Sequence, residues 1–423
     1  MSLPINKRDF DVFLSHAHTD HVFVEVLDRW LTEKAGMTVW YDSRELSGGA
    51  ALATGLQKGI ERCRAIIIVV TSDAFAHGWV KAEYNAAMDE RANFDGFRVI
   101  ALRIGNFGEQ DLMKGVTWID VPEARLDRNT ALALMRAFYP GEKCPNPATS
   151  RDVFISCSWH PDDSVSARTV CKELVGEGFR LIGDARDQKG FGKGDRVEDI
   201  ILSCGAFVGI IPFRGIELTP DDESPYKYFL REIDFATTHG IPSLIVVDPR
   251  IQRIDDKTST WLPMETSATE CPGSVAVAIK ALWEDWDEPE RPHYIFYALD
   301  LTSDAARPGG PIRHLIERIT GMRTIVGDEI HEEPLNSAIM KSLGRAFLVL
   351  ADLTDDNLNA CIEAGMALVW GTNIELIAYG KPKRPPFMLR TLQMSTYQDD
   401  VDQIGIINKI LRPYRRRIIN TEL

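Results

Sequence analysis

Apolar and polar positions along the first 125 residues fall into alternating blocks. Short, nearly unbroken apolar runs occupy residues 11–15, 37–42, 65–70, 97–104 and 116–121, the third reading Ala65-Ile66-Ile67-Ile68-Val69-Val70. Runs of this length without polar alternation predict strands buried on both faces. Between them, residues 21–34, 50–62 and 79–92 carry the spacing of amphipathic helices. Alternating strands and helices predict an α/β domain whose parallel sheet is covered on both faces, with ligands meeting it beyond the carboxyl ends of the strands.

The block pattern recurs. Asp152-Val153-Phe154-Ile155-Ser156 repeats Asp11-Val12-Phe13-Leu14-Ser15 141 positions later, and Cys204 repeats Cys63 at the same offset, ahead of an apolar run from Ala206 to Ile211. The chain therefore contains a duplication. A third pattern begins at Tyr294-Ile295-Phe296-Tyr297-Ala298. Proline-bearing polar stretches at 140–147 and 284–292 separate the patterns, predicting three tandem α/β domains at 1–143, 144–288 and 289–423.

Candidate chemistry sits just after the third strand. Trp79-Val80-Lys81-Ala82-Glu83 opens a helix, and residues four apart share one helix face. Trp79 and Glu83 would thus offer an aromatic plane and an acid to one ligand, a combination suited to a nucleotide. On any helix, a glutamate in the first turns is also simply favourable charge. The string His16-Ala17-His18-Thr19-Asp20-His21 competes as an HxHxDH pattern of dinuclear zinc hydrolases. The second copy argues against a metal there, since the same junction reads Ser156-Cys157-Ser158-Trp159-His160 without that pattern.

The strings DVFLSH at 11–16, VWYDSRELSGGAAL at 39–52, GIERCRAIIIVVTS at 59–72 and WVKAE at 79–83 resemble a TIR domain of the bacterial type, over residues 8 to about 125. The resemblance implies a flavodoxin-like fold and a mobile loop over a pocket around Arg44 to Ala50. In enzymatic members it also implies an NAD glycohydrolase, with Glu83 as the catalytic acid and Ser15, His16, Asp42, Arg44, Gly48, Gly49 and Trp79 about the NAD. Breaking the nicotinamide bond needs no general acid, because the leaving group is already cationic; it needs a carboxylate near the ribose and exclusion of water. The second copy keeps the spacing at Tyr228 and Glu232, but carries an acidic insert at 218–223 and a different loop, ARDQKGFGKGD, after Asp184. It is expected to be a structural or assembly copy.

In the third pattern the run from Ala346 to Asp352 enters an acidic, amide-rich turn and a helix. Asp352, Asn357, Asn359, Glu363, Gly365 and Ala367 resemble the aDlt..NpN...E.G.A signature of nucleoside 2-deoxyribosyltransferase-like proteins, with Leu358 where that family has proline. The resemblance implies a second nucleotide site at Asp352, Asn357, Asn359 and Glu363. All three domains are then expected to be flavodoxin-like or Rossmann-like.

Composition narrows the partners. A net charge of −14 argues against a nucleic-acid-binding body, with the tail from Arg412 to Arg417 the local exception: a salt-bridged helix end, or a dock for a neighbouring subunit. Seven scattered cysteines indicate neither a disulfide framework nor a structural zinc site. No leader or membrane-length apolar run is seen, so a cytoplasmic protein is expected. The role that the TIR resemblance implies is an NAD-consuming antiphage effector, without a prosthetic group. Control is expected from homo-oligomer or filament assembly and from a nucleotide second messenger at the C-terminal domain. The rivals are a non-catalytic TIR scaffold and a synthase of a cyclic ADP-ribose-type signal.

Overall fold

The computed structural model describes residues 8–17, 20–41, 52–72, 78–94, 96–105, 116–139, 151–158, 160, 162–184, 195–215, 218–219, 221, 223–251, 260–284, 294–301, 310–331, 334–380 and 386–419. The first unit runs β1 (Phe10–Ser15), α1 (His21–Arg29, continued as a π-turn over Trp30–Lys34), β2 (Val39–Tyr41), α2 (Leu52–Glu61), β3 (Cys63–Val70), α3 (Gly78–Asn93), β4 (Arg98–Ile104), β5 (Thr117–Val121) and α4 (Arg128–Phe138). Its five strands are parallel in the order β2-β1-β3-β4-β5. The unbroken apolar runs are why β1 and β3 lie at the centre: Ala65 through Val70 are all buried, with odd positions facing one helical layer and even positions the other. Asp127 starts α4 by accepting the Thr130 N–H at 2.7 Å, which satisfies one of the helix's free donors.

The second unit comprises β6 (Arg151–Cys157), α5 (Ser164–Gly176), β7 (Phe179–Asp184), α6 (Asp195–Leu202), β8 (Ala206–Ile211), α7 (Lys227–Thr238), β9 (Ser243–Val247), β10 (Thr260–Pro263) and α8 (Gly273–Glu284). The third comprises β11 (Tyr294–Ala298), α9 (Pro311–Thr320), β12 (Arg323–Ile325), α10 (Leu335–Arg345), β13 (Leu348–Asp352), α11 (Leu358–Val369), β14 (Asn373–Tyr379), β15 (Met394–Tyr397) and α12 (Asp400–Leu411), followed by a tail strand β16 (Arg416–Ile418). Both sheets repeat the strand order of the first: second, first, third, fourth, fifth. That order is the flavodoxin-like doubly wound arrangement, whose ligand crevice opens between first and third strands. The α/β expectation of three tandem Rossmann-like sheets holds.

Two features depart from a simple string of domains. The tail strand β16, counted in sequence with the third unit, crosses to pair antiparallel with β7 at the edge of the second sheet. In addition, one hydrophobic core spans the first and third units, joining Val12, Leu14, Leu31 and Leu134 to Leu315, Ile319, Ile404 and Leu411. Helix α12 is the joint. Ile404, Ile407 and Leu411 are fully buried, and burying each such side chain stabilises the fold by about 1.5–3 kcal/mol. Among the described residues, no helix is long and apolar enough to cross a membrane.

Candidate functional site

Strand β1 ends on Ser15, beside the first turns of α3, at the crevice between β1 and β3. Tyr84 and Ala87 pack α3 onto the sheet, and this turns Glu83 inward, where it is only 4% exposed. The Ser15 hydroxyl donates to a Glu83 carboxylate oxygen. Two turns further along, α3 buries a second glutamate. Glu90 is paired with Arg8 at 2.5 Å, a guanidinium that also lies over the Phe94 ring at 4.7 Å. The two acids of one helix thus have different tasks: Glu90 is neutralised by a cation within the fold, whereas Glu83 is steadied by a hydroxyl at the edge where ligands enter such folds. A buried carboxylate so placed is able to stabilise positive charge developing on a bound molecule.

Of the other residues expected about this site, half-buried His16 lies with its ring tilted against Tyr41, centroids 5.4 Å apart. Trp79 belongs to α3, and its side chain lies outside the described residues. Asp42, Arg44, Gly48 and Gly49 lie outside them too, as does His18 of the histidine string. Asp20 of that string accepts the Thr71 hydroxyl at 3.4 Å, and His21 is exposed at the start of α1. Ser15, expected beside the ligand, contacts Glu83.

The second unit reproduces the pair. Ser156, at the same place on β6, donates to Glu232 of α7 at 2.5 Å, and Glu232 is again 4% exposed. Its surroundings differ. After β8, Arg214 donates to the Ser158 hydroxyl at 2.7 Å and pairs with Asp163. Its backbone N–H donates to the Tyr226 hydroxyl at 2.6 Å. After β9, Asp248 accepts Thr266 through both N–H and hydroxyl at 2.8 Å, and Arg250 at 2.8 Å. Burial alone would raise the Asp248 carboxyl, but these hydrogen bonds carry it well below the usual carboxylate range. The carboxyl edge of this sheet is occupied by the unit's own ion pairs.

In the third unit, Glu363 of α11 holds the position that Glu83 and Glu232 hold on the helices after their third strands. No serine faces it from β11, which ends on Ala298. The space comes from Gly327: a Cβ there would stand 3.1 Å from a Glu363 carboxylate oxygen. Burial pushes the Glu363 carboxyl up to about 7. Asp352 lies on the other face of the sheet edge, accepting the Thr354 hydroxyl at 2.5 Å and the Tyr397 hydroxyl at 3.0 Å. Burial raises it despite these donors. Asp355 and Asp356 between them adopt left-handed φ values of 57° and 53°, a strained turn of the kind concentrated at ligand sites. Asn357 caps α11, its side-chain oxygen accepting the N–H groups of Asn359 and Ala360, while Asn359 is exposed. The motif's spacing revealed Asp352 and Glu363. Thr354 stands at the threonine of the same motif, whereas Gln403, which completes the cluster through Tyr397, had no motif to mark it.

With this geometry in place, the comparison with known proteins is direct: a TIR domain family model matches residues 12–134. The first unit is a TIR domain. A probable 2′ cyclic ADP-D-ribose synthase, TcpO, of Methanobrevibacter olleyae is 33% identical over 19% of this chain and 24% of its own length. The NAD(+) hydrolase TcpA of a Theionarchaea archaeon is 33% identical over 22% of this chain and 27% of its own. The NAD(+) hydrolase PdTIR of Paracoccus denitrificans is 38% identical over 17% of this chain and 24% of its own. The chain spans about a quarter of the length of these relatives.

Proposed function

We propose that the TIR domain of this chain cleaves NAD at the bond between nicotinamide and ribose, with Glu83 as its catalytic carboxylate. The observation that carries this reading is the Ser15–Glu83 pair, buried at the crevice between β1 and β3 of the unit that a TIR domain family model matches. As the bond breaks, its electron pair leaves with nicotinamide, which becomes neutral, and positive charge moves to the ribosyl carbon. A fixed, dehydrated carboxylate stabilises that charge. Water then adds to the carbon and a proton is released to solvent. An internal hydroxyl adding in place of water would give a cyclic ADP-ribose instead, and the name of the Methanobrevibacter relative favours keeping this second product in view.

The remaining parts support a wider reading. The third unit, with Glu363 and the Asp352 cluster at its sheet edge, binds a nucleotide or nucleoside and sets the state of the TIR domain. Copies of the chain assemble into a homo-oligomer or filament on activation, and the loss of NAD serves antiphage defence. Incubating purified full-length protein with NAD and identifying products by mass spectrometry tests the central step. Nicotinamide with ADP-ribose or its cyclic form is expected from the wild type, and Glu83→Gln should lose a factor on the order of 10² or more in release. Undiminished release by that variant would remove Glu83 from the reaction.

A further inference from the structure

Both repeats open on an aspartate, and both aspartates are tied to the same short tail. Asp11 at the start of β1 accepts Arg64 of its own unit at 3.0 Å, and takes both guanidinium nitrogens of Arg412 at 2.7 and 2.5 Å. Asp152 at the start of β6 accepts Arg180 of its own unit at 2.6 Å through each oxygen, and Arg416 at 3.3 Å. Arg416 is buried and also donates to the Gly321 carbonyl of the third unit at 2.7 Å, as Arg180 does at 3.4 Å. Beyond β16, Ile419 is fully buried in the second unit's core. Burial would raise Asp11, yet the hydrogen bonds and charge of Arg412, with Thr38 and Arg64, hold it below the usual range.

Helix α12, which leads into this tail, is seated on the π-turn of the first unit. Lys34 pairs with Asp402 at 2.7 Å, Trp30 donates to the Val401 carbonyl at 3.1 Å, and Asn408 donates to the Ala35 carbonyl at 2.7 Å. The contact is close enough to require Gly405, where an added Cβ would stand 2.9 Å from Lys34. Between Asp402 and Gly405 on the same helix, Gln403 reaches the third unit's polar cluster, donating to the Tyr397 hydroxyl at 3.2 Å.

We infer that α12 and the tail form an intramolecular clamp which fixes the first strand of each repeat to the third unit, so that the state of the third unit reaches Glu83 through β1. Asp11 and Ser15 are opposite ends of one strand, roughly 13 Å apart at 3.3 Å per residue. A strand buried on both faces moves as a unit, so releasing its Asp11 end displaces the hydroxyl that steadies Glu83. The consequence for Glu83 rests on the proposed NAD chemistry; the clamp itself does not.

Hydrogen exchange on the full chain tests the clamp without reference to activity. Arg412→Ala is expected to speed exchange at least tenfold in β1, β2 and the π-turn while leaving β6 and β7 unchanged. Arg416→Ala is expected to do the converse, and Arg412→Lys should show an intermediate change, since it keeps the charge and loses the two-pronged contact. Exchange unaltered in both repeats, or raised to the same extent in both repeats by each variant, would overturn the proposal. Nicotinamide release then reads the coupling: at least a threefold fall with Arg412→Ala and less than a twofold change with Arg416→Ala are expected. Equal effects from the two variants would break the link to Glu83. A wild type releasing no nicotinamide would instead sink the proposed function, with the exchange pattern still deciding the clamp.

Discussion

The first and second units carry the same pair of side chains in the same place, Ser15 with Glu83 and Ser156 with Glu232, yet set them in opposite surroundings. In the second unit, ion pairs of Arg214 with Asp163 and of Arg250 with Asp248 follow the carboxyl ends of β8 and β9. In the first, the described residues near that edge include His16 against Tyr41, Asp20 beside Thr71 and the Arg103–Asp120 ion pair at the ends of β4 and β5. A buried serine–glutamate contact is therefore common to the two repeats, though not to the third unit, and its presence alone does not make an active site. Among the described residues, what separates the copies is the set of charges that follows the third and fourth strands of the second unit, Arg214 with Asp163 and Arg250 with Asp248.

The largest effect on that contrast should come from Asp248. Replacing it with alanine strands the Thr266 N–H and hydroxyl and removes the Arg250 pairing, at a cost of about 2–3 kcal/mol. Urea unfolding should show the loss in the second unit, and because the Asp248 carboxyl is held low, the difference from wild type should shrink as pH falls through the acidic range. An unchanged midpoint would mean the edge is not held closed by this network.

Next come the serines. Ser15→Ala and Ser156→Ala each delete a hydrogen bond to a buried carboxylate, worth about 1.5–3 kcal/mol, and should destabilise their units similarly. Only Ser15→Ala should also slow nicotinamide release, with the loss in kcat rather than KM if Ser15 positions Glu83. Slower release from Ser156→Ala would mean that the copies share the chemistry.

The smallest effect concerns the third glutamate. With its carboxyl raised to about 7, the folded state favours the protonated form, so the contribution of Glu363 is full below about 4.5 and is lost as pH rises through 7. Glu363→Gln should therefore raise the melting temperature more at pH 8 than at pH 5. An equal shift at both pH values would contradict the buried, uncompensated carboxyl.

Much of this was legible in the sequence because it is local. Apolar runs such as 65–70 marked the buried strands, the 141-residue repeat marked the second sheet, and helix spacing marked Glu83. The serine partner was within reach too, since Ser15 and Ser156 recur at the same offset, but a hydroxyl one strand from an acid has no signature of its own. What was hidden is non-local. Tail residues Arg416-Arg417-Ile418 lack strand alternation, so nothing in their pattern announces β16, and the basic run read as a salt-bridged helix end or a subunit dock without its partners being named. Its arginines close on Asp11 and Asp152 within the same chain, positions hundreds of residues away. The core shared between first and third units is invisible for the same reason: each apolar position on α12 shows that it is buried, not against what.

One side-by-side assay separates the two repeats most directly: nicotinamide release from NAD by wild-type, Glu83→Gln and Glu232→Gln full-length protein, at equal folded concentration. The expected result is a loss on the order of 10² or more for Glu83→Gln, with Glu232→Gln within a factor of about two of wild type. Equal losses in the two variants, or a loss confined to Glu232→Gln, would contradict the claim that Glu83 of the first unit, and not its counterpart in the second, carries the chemistry.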